Sequence, residues 1–271
     1  MAGIRVENLT KEFGDTVALD DVSFEIHEGE FAVVLGISGS GKSTLLRCIN
    51  GLTDPTEGQV VIQDNPVASP REQIAMVFQQ HNIIDGMSAY SNALSGALGR
   101  TDLTTSILRT HDREDKLQAL DALETVGLLD EAEQRAGQMS GGQQQRVGIA
   151  RALVQNPEII LADEPVASLD PGSAQDVMRY LLEAADERGL TAMISLHQVN
   201  LARKFGERFI GLRHGELVFD GYRDDFTMDV IDEIYGDIDT EGMFEANSTG
   251  SDDGSGKVPD NTKSTPTRDY I

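Results

Sequence analysis

Apolar and polar positions along the chain fall into short blocks that change period repeatedly over the first 245 or so residues. Alternation at every second residue predicts half-buried strands over 4–8 and 17–26. Phe31-Ala32-Val33-Val34-Leu35 is apolar throughout, as a strand buried on both faces of a parallel sheet would be. Further strands are expected over 59–62, 73–78, 158–162, 191–196, 208–212 and 215–219. A three-to-four-residue apolar spacing predicts helices over 43–50, 114–126, 143–155, 173–187 and 224–235. Interleaving of this kind belongs to α/β proteins. Between about 80 and 156 no strand is expected, and the stretch reads as a helical insertion. From about 246 onward the chain is Asn, Ser, Thr, Gly, Asp and Pro with almost no apolar residue. Such a segment buries too little to offset chain entropy, so a disordered polar tail is expected over 246–271.

Charge narrows the picture. The 271 residues carry 46 Asp+Glu against 22 Lys+Arg, a formal net charge of −24. A surface of that sign repels phosphate backbones and argues against nucleic acid as a partner. The acids are spread along the chain rather than gathered in one block, and only 6 of the 22 basic residues are Lys. Both features fit a protein kept soluble in a salt-rich cytoplasm, where ions screen the self-repulsion. The single cysteine, Cys48, excludes an internal disulfide and a Cys-based zinc site, in keeping with a reducing compartment. On a helix it reads as a small buried hydrophobe. No apolar run reaches the roughly 18–20 residues that span a bilayer, and the start lacks a signal-peptide core. Secretion and membrane spanning are therefore not expected, while docking onto a membrane protein stays open.

The chemistry is concentrated in three places. Gly36-Ile37-Ser38-Gly39-Ser40-Gly41-Lys42-Ser43 fits G-x-x-x-x-G-K-[ST] in full, after a buried strand and opening a helix. Glycines let backbone N–H groups close around an anion with a helix N-terminus behind them. Lys42 would reach the β- and γ-phosphates, and the Ser43 hydroxyl would help hold Mg²⁺. Glu158-Ile159-Ile160-Leu161-Ala162-Asp163-Glu164 is an apolar strand ending in two carboxylates, placed where open α/β sheets bind ligands. Asp163 would hold Mg²⁺ and Glu164 would act as general base toward water. Met139-Ser140-Gly141-Gly142-Gln143-Gln144-Gln145-Arg146 leads two glycines into a helix and makes a second anion nest.

With these motifs the chain resembles the nucleotide-binding subunit of an ATP-binding cassette (ABC) transporter, with Ser140, Gly141, Gly142 and Gln143 in the place of the family's signature. Met139 stands where that family usually has Leu. The resemblance covers roughly residues 3–222 and places the remaining motifs in the family's order. It implies that Gln79, after the strand ending at Phe78, reaches Mg²⁺ or the attacking water. It implies that Asp170, in Ser168-Leu169-Asp170, touches a partner cassette, and that His197 contacts the γ-phosphate. Phe13 would stack on adenine, where Tyr is commoner, and Thr44 would join the phosphate-loop residues in binding nucleotide.

The fold implied is a P-loop NTPase (RecA-like) α/β core with an antiparallel β subdomain and an inserted α-helical subdomain. The cassette would span 1–245, with a core of 1–78 and 157–222, helices over 79–156, and a C-terminal helix within 223–245. The resemblance also implies ATP and Mg²⁺ as cofactors and a head-to-tail homodimer with a second ATPase subunit. It implies integral membrane permease subunits, an extracellular or periplasmic solute-binding protein, and a place on the cytoplasmic face of the membrane. A groove for the permease would lie near His81, Asn82, Ile83, Ile84, Met87 and Tyr90. The sequence around His197, the run 141–153 and Glu216-Leu217-Val218-Phe219-Asp220-Gly221 resemble phosphonate importers in particular. A polar segment over about 97–115 does so too. Phosphate, phosphite, organophosphate, amino acid and methionine importers remain alternatives. So do a soluble ATPase subunit of a phosphonate-degrading complex and a regulator without turnover.

The acid-rich composition yields a first prediction. Circular dichroism of the purified chain in stepwise lower KCl should show loss of structure. Complete folding in dilute buffer would contradict adaptation to high salt.

Overall fold

The structure, a computed structural model, describes residues 2–79, 82–100 and 113–236. The expected tail and His81 lie outside the described residues, as does most of the polar segment before residue 113.

Two sheets organise the molecule. The first begins with a hairpin of β1 (Ala2–Phe13) and β2 (Thr16–His27), and adds β4 (Glu57–Ile62) and β5 (Asn65–Pro66) in the order β2-β1-β4-β5, antiparallel throughout. These strands run longer than the alternation at 4–8 and 17–26 suggests. The register shifts between Val6 and Leu9 and again before Lys11 and Glu12, and each shift breaks the period-two pattern while pairing continues.

The second sheet has six strands in the order β10-β9-β3-β8-β7-β6. Its members are β3 (Phe31–Leu35), β6 (Ile74–Val77), β7 (Ile159–Asp163), β8 (Thr191–Leu196), β9 (Arg208–Arg213) and β10 (Glu216–Tyr222). All neighbours are parallel except β10, which returns antiparallel on β9. β3, β6, β7 and β8 are buried at every residue, which explains why β3 and β6 are apolar throughout and β7 and β8 are interrupted only by Asp163, Thr191 and Ser195.

Alternate residues of β3 feed two cores. Ala32 and Val34 pack with α1 (Lys42–Ile49) and the first sheet. Phe31, Val33 and Leu35 pack toward the helices on the opposite face. Those helices are α2 (Ala89–Leu94), α3 (Arg113–Thr125), α4 (Gly141–Val154), α5 (Pro171–Arg188), α6 (Val199–Phe205) and α7 (Met228–Tyr235). Between β6 and β7 the described chain holds helices, two 3-10 turns and one isolated bridge, Ser88 to Arg135.

Two helices differ from expectation. α2 has six residues, too few to show a helical period, and is set by its cap: the Ser91 N–H donates to Ser88 Oγ at 3.1 Å. The helix expected over 224–235 is instead a 3-10 turn at Arg223–Asp225 followed, after a break, by α7. The break frees Phe226 to stack on Phe209, with ring centroids 4.3 Å apart and planes within 6°. Phe226 is thus the pin that turns the C-terminal segment back onto β9. Phe226→Ala should cost about 3 kcal/mol, read as a lower urea midpoint in high salt; an unchanged midpoint would contradict this packing role.

Candidate active site

The loop after β3 is shaped by glycines whose Cβ would have no room. At Gly36, with φ 151°, an added Cβ would lie 2.3 Å from the Leu212 carbonyl oxygen and 2.4 Å from Ser40 Oγ. Gly41, with φ 105°, precedes α1 and offers no side-chain cap, so the first N–H groups of that helix remain available to a ligand. Ser38, Gly39, Gly41, Lys42, Ser43 and Thr44 line a cleft of about 310 Å³ together with Phe13, Ala18 and Glu164. Ile37 is half-buried and Ser40 is buried beneath the loop.

Lys42 is only 3% exposed. Its Nζ donates to the Gly36 and Ile37 carbonyls at 2.8 and 3.0 Å and stands 3.9 Å from Glu164 Oε1. Burial pushes the ammonium below its usual range, and the carboxylates of Glu164 and Asp163 pull it back up. The ammonium is therefore folded back on its own loop and on the carboxylate opposite.

That carboxylate belongs to the pair at the end of β7. Asp163 is buried, and its Oδ1 accepts from Ser43 Oγ at 2.8 Å and from Ser195 Oγ at 2.9 Å. Glu164 adopts φ 49°, a left-handed conformation that costs a non-glycine residue about 1–3 kcal/mol. The Ser195 hydroxyl helps hold it there, accepting the Glu164 N–H at 2.9 Å. Glu164 Oε1 in turn contacts His197 Nε2. One buried hydroxyl thus secures both carboxylate residues from the neighbouring strand. In the sequence Ser195 falls only within the strand expected over 191–196 and the stretch around His197; a polar residue inside a mostly apolar strand, two positions before His197, was the available signal.

The other expected residues lie apart from this cluster. Phe13 is 53% exposed at the cleft rim, with Lys11 Nζ 4.9 Å from its ring centroid, so it is no core residue. Gln79 is exposed on the bend after β6 and does not line the cleft; the carbonyl of the preceding Phe78 accepts from Gln145 at 3.5 Å. Ser140 caps α4 in a reciprocal box with Gln143, with the bonds at 3.3 and 3.0 Å. Gly142 must be small because a Cβ would meet Ser173 Cβ at 2.9 Å, and one on Gly141 would touch Leu169 at 3.4 Å. The signature therefore packs on the segment around Asp170, and none of its four residues lines the cleft of the same copy. Asp170 caps α5, accepting from the Gly172 and Ser173 N–H groups at 3.1 and 3.0 Å, and the Ser173 bonds lower its pKa. Cys48 is buried, and burial raises its thiol to about 11, so it stays protonated.

In the loop before α2, the Asn92 side chain clamps the Ile84 N–H and carbonyl at 2.7 and 3.1 Å. It leaves the Ile84 side chain 56% exposed. Ile83 and Tyr90 pack partly against the core, Met87 is half-buried, and the Asn82 carbonyl accepts from Arg151.

A phosphate loop opening a helix, faced by a strand-end carboxylate pair, defines a P-loop nucleotide hydrolase, and the helices between β6 and β7 give it the form of an ATP-binding cassette. Residues 19–167 match the family described as ABC transporter, and the chain belongs to that family: it is an ABC-type ATPase, and ATP is its nucleotide. Among curated proteins it is 63% identical to the phosphonates import ATP-binding protein PhnC of Halobacterium salinarum, over 93% of this chain and 90% of that one. It is 58% identical to PhnC 2 of Haloquadratum walsbyi, over 93% and 89%. A solved dimeric ATP-binding cassette in a post-hydrolysis state with ADP and Pi is similar at TM-score 0.70 and 36% identity, covering 81% of this chain and 98% of that one. A nucleotide-free cassette from an ABC transporter matches at TM-score 0.74 and 28% identity, over 86% and 95%.

Two substitutions separate binding from turnover. Glu164→Gln should keep ATP affinity within about threefold while lowering turnover about 10²–10⁴-fold; hydrolysis at the wild-type rate would reject Glu164 as base. Lys42→Ala should weaken ATP binding at least about 30-fold in a fluorescent-nucleotide titration, and unchanged affinity would reject its phosphate role.

Proposed function

We propose that this chain powers a membrane importer of phosphonates by hydrolysing ATP at the cluster of Lys42, Asp163, Glu164 and His197. The observation that carries the chemistry is the shared grip on Glu164: its Oε1 faces both His197 Nε2 and Lys42 Nζ. Those two donors are the ones a γ-phosphate would take. ATP therefore competes with Glu164 for them, and binding releases a carboxylate oxygen toward the attacking water. Glu164 accepts the proton of that water, while Lys42, His197 and the α1 N–H groups hold the phosphoryl oxygens as charge develops.

Mg²⁺ fits the donors present. Among the described residues no cluster of three His, Cys, Asp or Glu could hold a metal ion alone. The Ser43 hydroxyl and Asp163 carboxylate, 2.8 Å apart, supply the few oxygens that a magnesium shared with phosphates needs. Bound there, it would neutralise charge on the β- and γ-phosphates. Gln79 is the further oxygen donor we assign to this ion, delivered by a shift of its exposed bend.

Two copies would pair head to tail, so that Ser140, Gly141 and Gly142 of one cap the γ-phosphate held by the other and Asp170 lies at the contact. The separation of signature and cleft within one copy supports this pairing. The exposed Ile84 and its neighbours Ile83, Met87 and Tyr90 would receive a permease segment on the cytoplasmic face of the membrane. Among the described residues no helix is long and apolar enough to cross a membrane itself. A separate solute-binding protein would deliver cargo outside.

Phosphonate as cargo rests on similarity to the two haloarchaeal PhnC proteins, because nothing in a cassette touches the solute. Deleting the gene should abolish growth on a phosphonate as sole phosphorus source and spare growth on phosphate. A copy carrying Glu164→Gln should fail to restore it. Undiminished growth of the deletion strain, with no second importer present, would reject phosphonate as the cargo.

A further inference from the structure

We propose that Tyr235, on the last described helix, is a positioning residue for ATP hydrolysis: its hydroxyl ties the backbone of His197 to α7, which is packed on β9. The inference rests on the reading of His197 as the γ-phosphate contact and extends the catalytic frame to α7, beyond every motif in the chain.

The geometry is that of a strut from α7 to the end of β8. The Tyr235 hydroxyl donates to the His197 carbonyl at 3.3 Å from a ring carried on α7. Tyr235 is 5% exposed, and burial raises its pKa, so the donor proton is retained at any working pH.

The partner is active-site backbone. His197 leaves β8 on a short connection to α6, whose capping residue, Gln198, makes no side-chain cap bond. The imidazole is 35% exposed, so its direction depends on how that backbone is held.

The hydroxyl is not needed to dock α7. Ile231 and Ile234 are fully buried, and Ile234 Cδ1 sits where a Cβ on Gly211 would be, 2.6 Å away. Arg213 Nη1 donates to the Glu233 carbonyl at 3.0 Å. Apolar contact and this bond hold the helix. The hydroxyl adds a link from that held helix to the connection carrying His197, whose imidazole must keep its direction toward the γ-phosphate.

The test is Tyr235→Phe in the full chain, which keeps the ring and removes only the strut. Steady-state ATPase in high salt should show kcat lowered about five- to tenfold. KM for ATP should stay within about twofold and the urea midpoint close to wild type. In a His197→Ala background the same change should have no further effect, because the hydroxyl acts through that residue. Wild-type kcat in Tyr235→Phe overturns the inference. A loss of stability or ATP affinity matching the loss of rate also overturns it, as does full additivity with His197→Ala, since either marks a structural residue only. A wild-type chain without ATP turnover, or His197→Ala at the wild-type rate, would instead reject the underlying reading of the site, and the inference with it.

Discussion

An ammonium group taken out of water must be surrounded by acceptors and counter-charges or it costs several kcal/mol. Lys42 is such a group, and the architecture around it follows from that need. Two loop carbonyls accept hydrogen bonds from it, and a carboxylate completes the shell at a longer distance. The loop can supply carbonyls because glycines let it curl back over its own lysine. The carboxylate can stand opposite because β7 and β8 are adjacent and parallel, with Asp163 level with Ser195. On the proposed reading a triphosphate would satisfy the same ammonium better than either, bringing more charge at closer range. The protein would thus keep its cation paired in a way that substrate can displace.

The sheet makes this arrangement rigid. Each β3 residue faces one of two cores, so the strand feeding the phosphate loop cannot shift without disturbing both. The loop's other flank is fixed by the β9–β10 turn, whose Gly215 N–H donates to the Ser40 carbonyl at 3.2 Å and whose carbonyl accepts from Asp20 at 2.9 Å. Against this stiff frame the left-handed backbone of Glu164 is a local cost, offset by the Ser195 bond. Strain held there accompanies the aim of the carboxylate at His197 and Lys42.

Much of this was legible in the sequence. Largely apolar runs announced β3, β7 and β8, because strands covered on both faces have few polar positions to interrupt them. The phosphate loop, Asp163-Glu164 and Ser140-Gly141-Gly142 were readable because their chemistry demands fixed residue types at fixed spacing. What stayed hidden depends on contacts between distant segments. The β1–β2 hairpin was underestimated because bulges break alternation without ending pairing. The Phe226 break inside an expected helix is made by a ring on β9 that no local pattern reveals. Ser195 looked like an ordinary strand residue, since its partners lie 31 and 32 positions away. Phe13 could be told from a core residue only by its exposure beside the cleft.

The separation of the cleft from the signature within one copy makes the central claim open to direct test. The decisive measurement is the structure of the Glu164→Gln variant with ATP and Mg²⁺ in high salt. The account predicts two copies related by a two-fold axis, with Ser140, Gly141 and Gly142 of each within hydrogen-bond reach of the γ-phosphate gripped by Lys42 of its partner. A nucleotide-loaded copy whose signature faces only solvent would contradict it.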